Sequence, residues 1–204
     1  MRPTPFYNLV AILSAPVFYG LYRLRAKGRE NLPEGGFVLA SNHVSSLDPW
    51  VLGIPLWPKR FLRFMAKSEL YWWPLKFVLS AAGAFPVRRG QRDTVAIDTA
   101  VRLARAGYAV TMFPEGTRRT KGLVKRFESR PRSGAARIAL EAGVPLVPAA
   151  VKGTDKLTRL GRLSVAYGAP VEIDDLRGEG DVSEAAHEAT ERLMARIAEL
   201  EASL

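Results

Sequence analysis

The sequence predicts an α/β fold: a single domain with a mostly parallel central sheet flanked by helices, preceded by an amino-terminal membrane-associating helical segment. Three observations lead there. Short apolar runs of strand length alternate with stretches of helical spacing, the order that builds strand–helix–strand units around a parallel sheet. A length of 204 residues suits one compact domain with one appended element. No charged side chain occurs from Pro3 to Tyr22, although the chain as a whole, 48% hydrophobic and 25% charged, is ordinary for a globular protein rather than a disordered or wholly membrane-embedded one.

The uncharged amino-terminal run, at about 1.5 Å per residue, would just reach across a hydrocarbon core of roughly 30 Å. Pro16 interrupts it, Asn8 and Ser14 are polar, and the aromatics Phe6, Tyr7, Phe18, Tyr19 and Tyr22 suit a water interface better than a bilayer centre. The expectation is a kinked helix lying in the interface, with Arg23, Arg25, Lys27 and Arg29 following at the level of lipid head groups. A buried core helix is the alternative. A secretory signal fits less well, because only Arg2 charges the start and no clean small-x-small cleavage site follows. The domain organisation expected is therefore a membrane-associating segment over 1–27 and an α/β domain over 28–204.

Within that domain, Phe37 to Ala40 follows the turn-rich Pro33-Glu34-Gly35-Gly36 and reads as a strand. The apolar zone from Trp50 to Val87 holds all four tryptophans, Trp50, Trp57, Trp72 and Trp73, and reads either as core or as an extension of the membrane face. Thr94 to Ala106 has helical spacing closed by Gly107, and Tyr108 to Phe113 is the next strand. A helix over Gly134 to Ala142 ends at Gly143. Val144 to Val151 is strand-like, with Pro145 and Pro148 demanding an edge or a bulge. Leu163 to Tyr167 is a further strand, and Ser183 caps a long terminal helix.

The formal charge of +10 calls for an anionic partner. Residues 171–204 carry ten acidic side chains against three arginines, so the body over 1–170 carries +17 by difference. The densest run is Arg118, Arg119, Lys121, Lys125, Arg126, Arg130, Arg132 and Arg137 against the single acid Glu128, which as a bland alternative is a solvated loop. The absence of Cys excludes disulfides, zinc thiolates and a cysteine nucleophile. Two histidines, His43 and His187, leave no basis for a histidine-rich metal centre.

Chemistry concentrates in two segments. Asn42 to Asp48 stands where the first strand of the domain ends, the usual place for active groups on an open α/β sheet. His43 and Asp48 would lie about 140° apart on a straight helix; they meet only if the chain turns between them, the His closing a loop and the Asp opening a helix. Asp48 would then hold one imidazole nitrogen and leave the other free as a general base. Asp48-Pro49 is equally what a helix cap followed by proline looks like. In Phe113-Pro114-Glu115-Gly116-Thr117-Arg118, a glycine turn at a strand end exposes backbone N–H groups, and Arg118 offers a planar fork for phosphate oxygens, unless it merely pairs with Glu115 at the surface. Gly83-Ala84-Phe85-Pro86-Val87-Arg88-Arg89 adds two adjacent arginines.

These segments, in this order, resemble the glycerophospholipid acyltransferase family. Its N-H-x-x-x-x-D block matches Asn42 to Asp48, and its F-P-E-G-T-R block matches Phe113 to Arg118 in full. Weaker matches are Gly28 to Pro33, the V-P-x-x-P strand at Val144 to Pro148, and a G-x-x-F-x-x-R block in which Pro86 takes the Phe position and Arg89 the Arg position. The stretch from Arg119 to Ser133 is longer and more basic than the family's usual link. The resemblance implies transfer of a fatty acyl group from a thioester, on coenzyme A or acyl carrier protein, to the free hydroxyl of lysophosphatidic acid or another lysophospholipid. No cofactor is implied beyond that co-substrate. It assigns His43 as the base and Asp48 as its support, with Arg89 and Arg118 on the phosphate and Glu115, Gly116 and Thr117 shaping the glycerol site. Leu75 to Ala82 would line an acyl groove or belong to the core. Peripheral or monotopic attachment at the cytoplasmic face of the cell membrane, on an anionic surface, follows, and no nucleic acid is expected. The rival readings are a basic nucleic-acid-binding protein, which leaves Pro3 to Tyr22 unexplained, and a lipid hydrolase, for which no nucleophile is identifiable.

Overall fold

All five residues of the strand Phe37–Ser41 (β2) are buried, so side chains pointing to opposite faces both need cover. The computed structural model, which describes residues 3–88, 93–116, 131–178 and 181–204, supplies that cover with helices on each side of a seven-stranded sheet. The other strands are Arg25–Lys27 (β1), Leu62–Lys67 (β3), Ala84–Val87 (β4), Ala109–Met112 (β5), Leu146–Lys152 (β6) and Ser164–Tyr167 (β7). Their order is β1-β7-β6-β2-β5-β3-β4, and every neighbouring pair is parallel except β6 with β7. The chain is thus an α/β domain with a mostly parallel central sheet.

One face carries the helices Thr94–Arg105 (α4), Gly134–Ala142 (α5) and Val182–Ala202 (α6). Ala100, Ala104, Ile138, Leu193 and Ile197 there close on Val38, Val110 and Leu146. On the other face Val51 and Leu52, from the short helix Asp48–Gly53 (α2), meet Phe37, Leu39, Val147, Val165 and Tyr167. The chain therefore leaves β2 over one face and β5 over the other, which opens a crevice beyond the carboxyl ends of these central strands.

β6 is not an edge strand, since it lies between β7 and β2; of the two forms expected for Pro148 it takes the bulged one, the pairing slipping by one residue between Ala149↔Tyr167 and the bridge Leu146↔Val171. Pro148 is tolerated because its missing N–H faces the line of β7 just past the last residue of that strand, where the Pro148 carbonyl accepts from Gly168 N at 2.8 Å. The terminal helix is capped by Asp181 rather than Ser183; the Asp181 carboxylate accepts from Ser183 N at 2.8 Å.

At the amino end, Thr4 caps a helix over Pro5–Pro16 (α1), accepting from Tyr7 N, and a π-helical turn over Val17–Leu21 follows the proline. The polar residues of this apolar run are bonded to the domain: Trp50 Nε1 donates to Ser14 Oγ at 3.1 Å and Trp57 Nε1 to Asn8 Oδ1 at 2.8 Å. Tyr7 and Ala11 are buried, whereas Leu9, Ile12 and Leu13 are exposed. The Thr4 hydroxyl donates to Ala81 O at 2.7 Å, tying α1 to the helix Leu75–Ala81 (α3). No residue of α3 is buried, so this segment is not core; Phe77 and Val78 on it, and Trp72 and Trp73 just before it, are exposed. Among the described residues no helix is long and apolar enough to cross a membrane.

Candidate active site

β2 ends at Ser41, and the turn from Asn42 to Leu47 brings the chain back into α2 at Asp48. Asn42 anchors the exit. Its Nδ2 donates to Val151 O at 2.9 Å and its Oδ1 accepts from Val151 N at 2.8 Å, so the side chain continues the β2–β6 ladder beyond the last paired residue. His43 follows, with its ring stacked on Phe113 at a centroid distance of 4.1 Å.

His43 Nδ1 and Asp48 Oδ2 are 2.9 Å apart. The same carboxylate oxygen accepts from Val44 N at 2.6 Å and Ser45 N at 2.8 Å, and Asp48 Oδ1 accepts from Thr154 Oγ1 at 2.6 Å. Asp48 is fully buried. It does not cap α2, whose N-cap is Leu47 without a side-chain bond; its carboxylate reaches back to the N–H groups of the preceding loop instead. A carboxylate surrounded by donors is an acceptor only, so this arrangement places the proton of the pair on Nδ1 and leaves Nε2 as an acceptor. The His43 side chain is 9% exposed, and it lines a cleft of about 730 Å³.

The cleft lies beyond the ends of β3, β4 and β5 and is rimmed by the amino ends of α4, α5 and α6, at Thr94, Gly134 and Val182. Two of these ends are capped, by Asp93 and Asp181. Backbone N–H groups of Arg88 and Ala96 hold the Asp93 carboxyl below the usual carboxylate range. At α5 the N-cap Ser133 makes no side-chain bond among the described residues, and the first turn of that helix lines the cleft with the positive end of its dipole toward it. Arg88, Arg132 and Arg137 line the same space, Arg137 paired with Glu141.

Glu115 is buried at the turn after β5. Gly116 has φ +68, and a Cβ there would lie 2.8 Å from Arg132 Nε, so a side chain would displace the arginine that lies over the turn. Of the predicted site residues, then, His43 and Asp48 are joined directly, and Glu115 and Gly116 form the turn after β5, Gly116 lining the cleft. Thr117, Arg118 and Arg89 lie outside the described residues. Sequence reasoning missed Thr154, the anchoring role of Asn42, Phe113 as the surface under the imidazole, and Arg132 as a cation of the cleft. Phe113 and Asn42 stood inside quoted motifs; Thr154 had no local signal. Among the described residues, no three His, Asp or Glu gather as a metal site.

Comparison with known proteins adds the following. The family described as Acyltransferase matches residues 23–152. A 1-acyl-sn-glycerol-3-phosphate acyltransferase of Bacillus subtilis is 34% identical over 188 residues, covering 89% of each chain. A chloroplastic 1-acyl-sn-glycerol-3-phosphate acyltransferase of Brassica napus is 33% identical over 174 residues, 82% of this chain and 48% of its own, so the chain spans about half the length of that plastid relative. The crystal structure of the 1-acyl-sn-glycerophosphate acyltransferase PlsC from Thermotoga maritima shares the fold, with a TM-score of 0.66 at 24% identity over 95% of this chain and 79% of that one.

Proposed function

The chain belongs to the acyltransferase family and is an acyltransferase enzyme, and from that premise we propose that it moves a fatty acyl group from a thioester, on coenzyme A or acyl carrier protein, to the free hydroxyl of lysophosphatidic acid, giving phosphatidic acid. The observation that carries this reading is the 2.9 Å bond from His43 Nδ1 to a buried carboxylate whose remaining partners are all donors.

With Nδ1 occupied, Nε2 accepts the proton of the acceptor hydroxyl as its oxygen attacks the thioester carbonyl. The negative charge of Asp48 stabilises the imidazolium so formed. When the carbon–sulfur bond breaks, the imidazolium returns the proton to the leaving thiolate, releasing ester and thiol. No acyl-enzyme is required. The acceptor phosphate is held by Arg132 and the first turn of α5, an arrangement suited to an anion. Arg89 and Arg118 join them on the strength of the family motifs alone, and the Glu115 to Thr117 turn shapes the glycerol site.

The exposed apolar side chains of α1, the Val17–Leu21 turn and α3 are the docking surface for the membrane that holds the lipid substrate, with Arg23, Arg25, Lys27 and Arg29 favouring an anionic leaflet. The attachment is monotopic or peripheral, on the cytoplasmic side.

The test is acyl transfer by purified protein, read as phosphatidic acid formed and thiol released, with both donor types and a panel of lysophospholipids. His43→Ala is expected to lower turnover by about 10²- to 10⁴-fold. Near-normal transfer by that variant would overturn the assignment of the base. Equal use of acceptors lacking a phosphomonoester would overturn the lysophosphatidic acid reading.

A further inference from the structure

We propose that Thr154 is a positioning residue for the His43–Asp48 pair, fixing the rotation of the Asp48 carboxylate so that Oδ2 stays on His43 Nδ1. This rests on the reading of His43 as the base and extends it to a residue 106 positions away in the chain.

The torsion that turns a carboxylate about its Cβ–Cγ bond is soft. Oδ2 of Asp48 collects three donors, His43 Nδ1, Val44 N and Ser45 N, all on one side of the group. Oδ1 has one partner among the described residues, Thr154 Oγ1 at 2.6 Å, and both residues are buried, at 0% and 2% exposure. That bond, on the opposite oxygen, adds the anchor that the three bonds on Oδ2 lack, so the two oxygens cannot exchange places without losing it. A hydroxyl without formal charge can do this while leaving the carboxylate its full charge for the imidazolium, which a cation in the same place would neutralise.

The chain invests in bringing Thr154 there. Val151, three residues earlier, is clasped through its N–H and carbonyl by Asn42, the neighbour of His43. Gly153 then turns the chain at φ +93, where a Cβ would meet Arg162 O at 2.2 Å, so only glycine fits. Asn42 and Thr154 thus clamp the two ends of the His43 to Asp48 loop to one short stretch at the end of β6. The hydroxyl itself has no other bond: Asp48 is its one partner among the described residues.

The experiment compares Thr154→Val, Thr154→Ser and His43→Ala in the transfer assay with lysophosphatidic acid, alongside thermal unfolding and the imidazole N–H proton spectrum. With two histidines in the chain, a His187→Gln background isolates the signal of His43. Thr154→Val is expected to fold, to lose about 10- to 100-fold in kcat with KM changed by less than about twofold, and to shift or broaden the His43 Nδ1–H resonance. Thr154→Ser, which keeps the hydroxyl, restores both kcat and the resonance. If Thr154→Val unfolds, Thr154→Ser at wild-type activity beside Thr154→Ala with reduced kcat and an altered resonance supports the same role. A Thr154→Val enzyme with kcat within about twofold of wild type, while His43→Ala is inactive, would overturn the positioning role and leave the base intact. Loss of activity with an unchanged His43 resonance would likewise overturn it, since the loss would not run through the imidazole. Near-normal transfer by His43→Ala would remove the base and this role together.

Discussion

A buried carboxylate with four bonds is stabilised by the donors around it, and each donor in turn needs a fixed backbone. Asn42 supplies that fixity on one side, because its amide satisfies both polar groups of Val151. Asn42→Ala would orphan a buried N–H and a buried carbonyl, at a cost of about 2 to 4 kcal/mol. Urea unfolding should show this loss of stability, together with a fall in transfer activity because His43 is the next residue. Unchanged stability would mean that water or a shifted backbone replaces the amide. His43 and Asp48 were legible as a pair from the sequence, since a five-residue separation can be closed by a local turn. Their acceptor network was not, because its fourth donor, Thr154, arrives after the neighbouring strand β6, 106 positions along the chain.

Among the elements, α1 is held to the domain by tryptophan N–H bonds to Asn8 and Ser14 and by the buried ring of Tyr7. Burial pushes the Tyr7 hydroxyl up from its usual value near 10 to about 12. The folded state thus keeps a proton that the unfolded chain gives up first. Stability from this source is complete below pH 10 and is lost as pH rises from 10 through 12. Urea midpoints measured across that window should fall with pH, and less steeply in Tyr7→Phe; equal slopes for the two proteins would show that Tyr7 is not responsible. The residues that weakened the case for a membrane span, Asn8 and Ser14, prove to be docking groups. Periodicity located α4 and α5 to within a residue because their apolar stripes and glycine ends are local signals. It left α3 undecided between core and groove, since an apolar sequence does not say which side its neighbours cover.

Over the whole molecule, the apolar surfaces of α1 and α3 join with a body of net charge +17, so the proposed attraction to an anionic bilayer would have both a salt-sensitive and a salt-resistant part. Flotation with anionic vesicles should therefore decline only partly in high salt. Leu13→Asp combined with Phe77→Asp should abolish the salt-resistant fraction while leaving thermal stability nearly unchanged, both side chains being exposed. Complete release of the wild-type protein by salt would reduce the membrane face to electrostatics alone.

The alternation of strand and helix, the breaks at glycine and proline, the motif residues of the site and the sign of the charge all come from interactions spanning a few residues, and the primary structure alone carries them. Strand order is another matter. β6 sits beside β2 although about a hundred residues separate them, and that adjacency admits Pro148 to an interior strand and delivers Val151 to Asn42 and Thr154 to Asp48. Those pairings depend on which surfaces bury each other when the sheet closes, a property of the packed chain that no local pattern encodes.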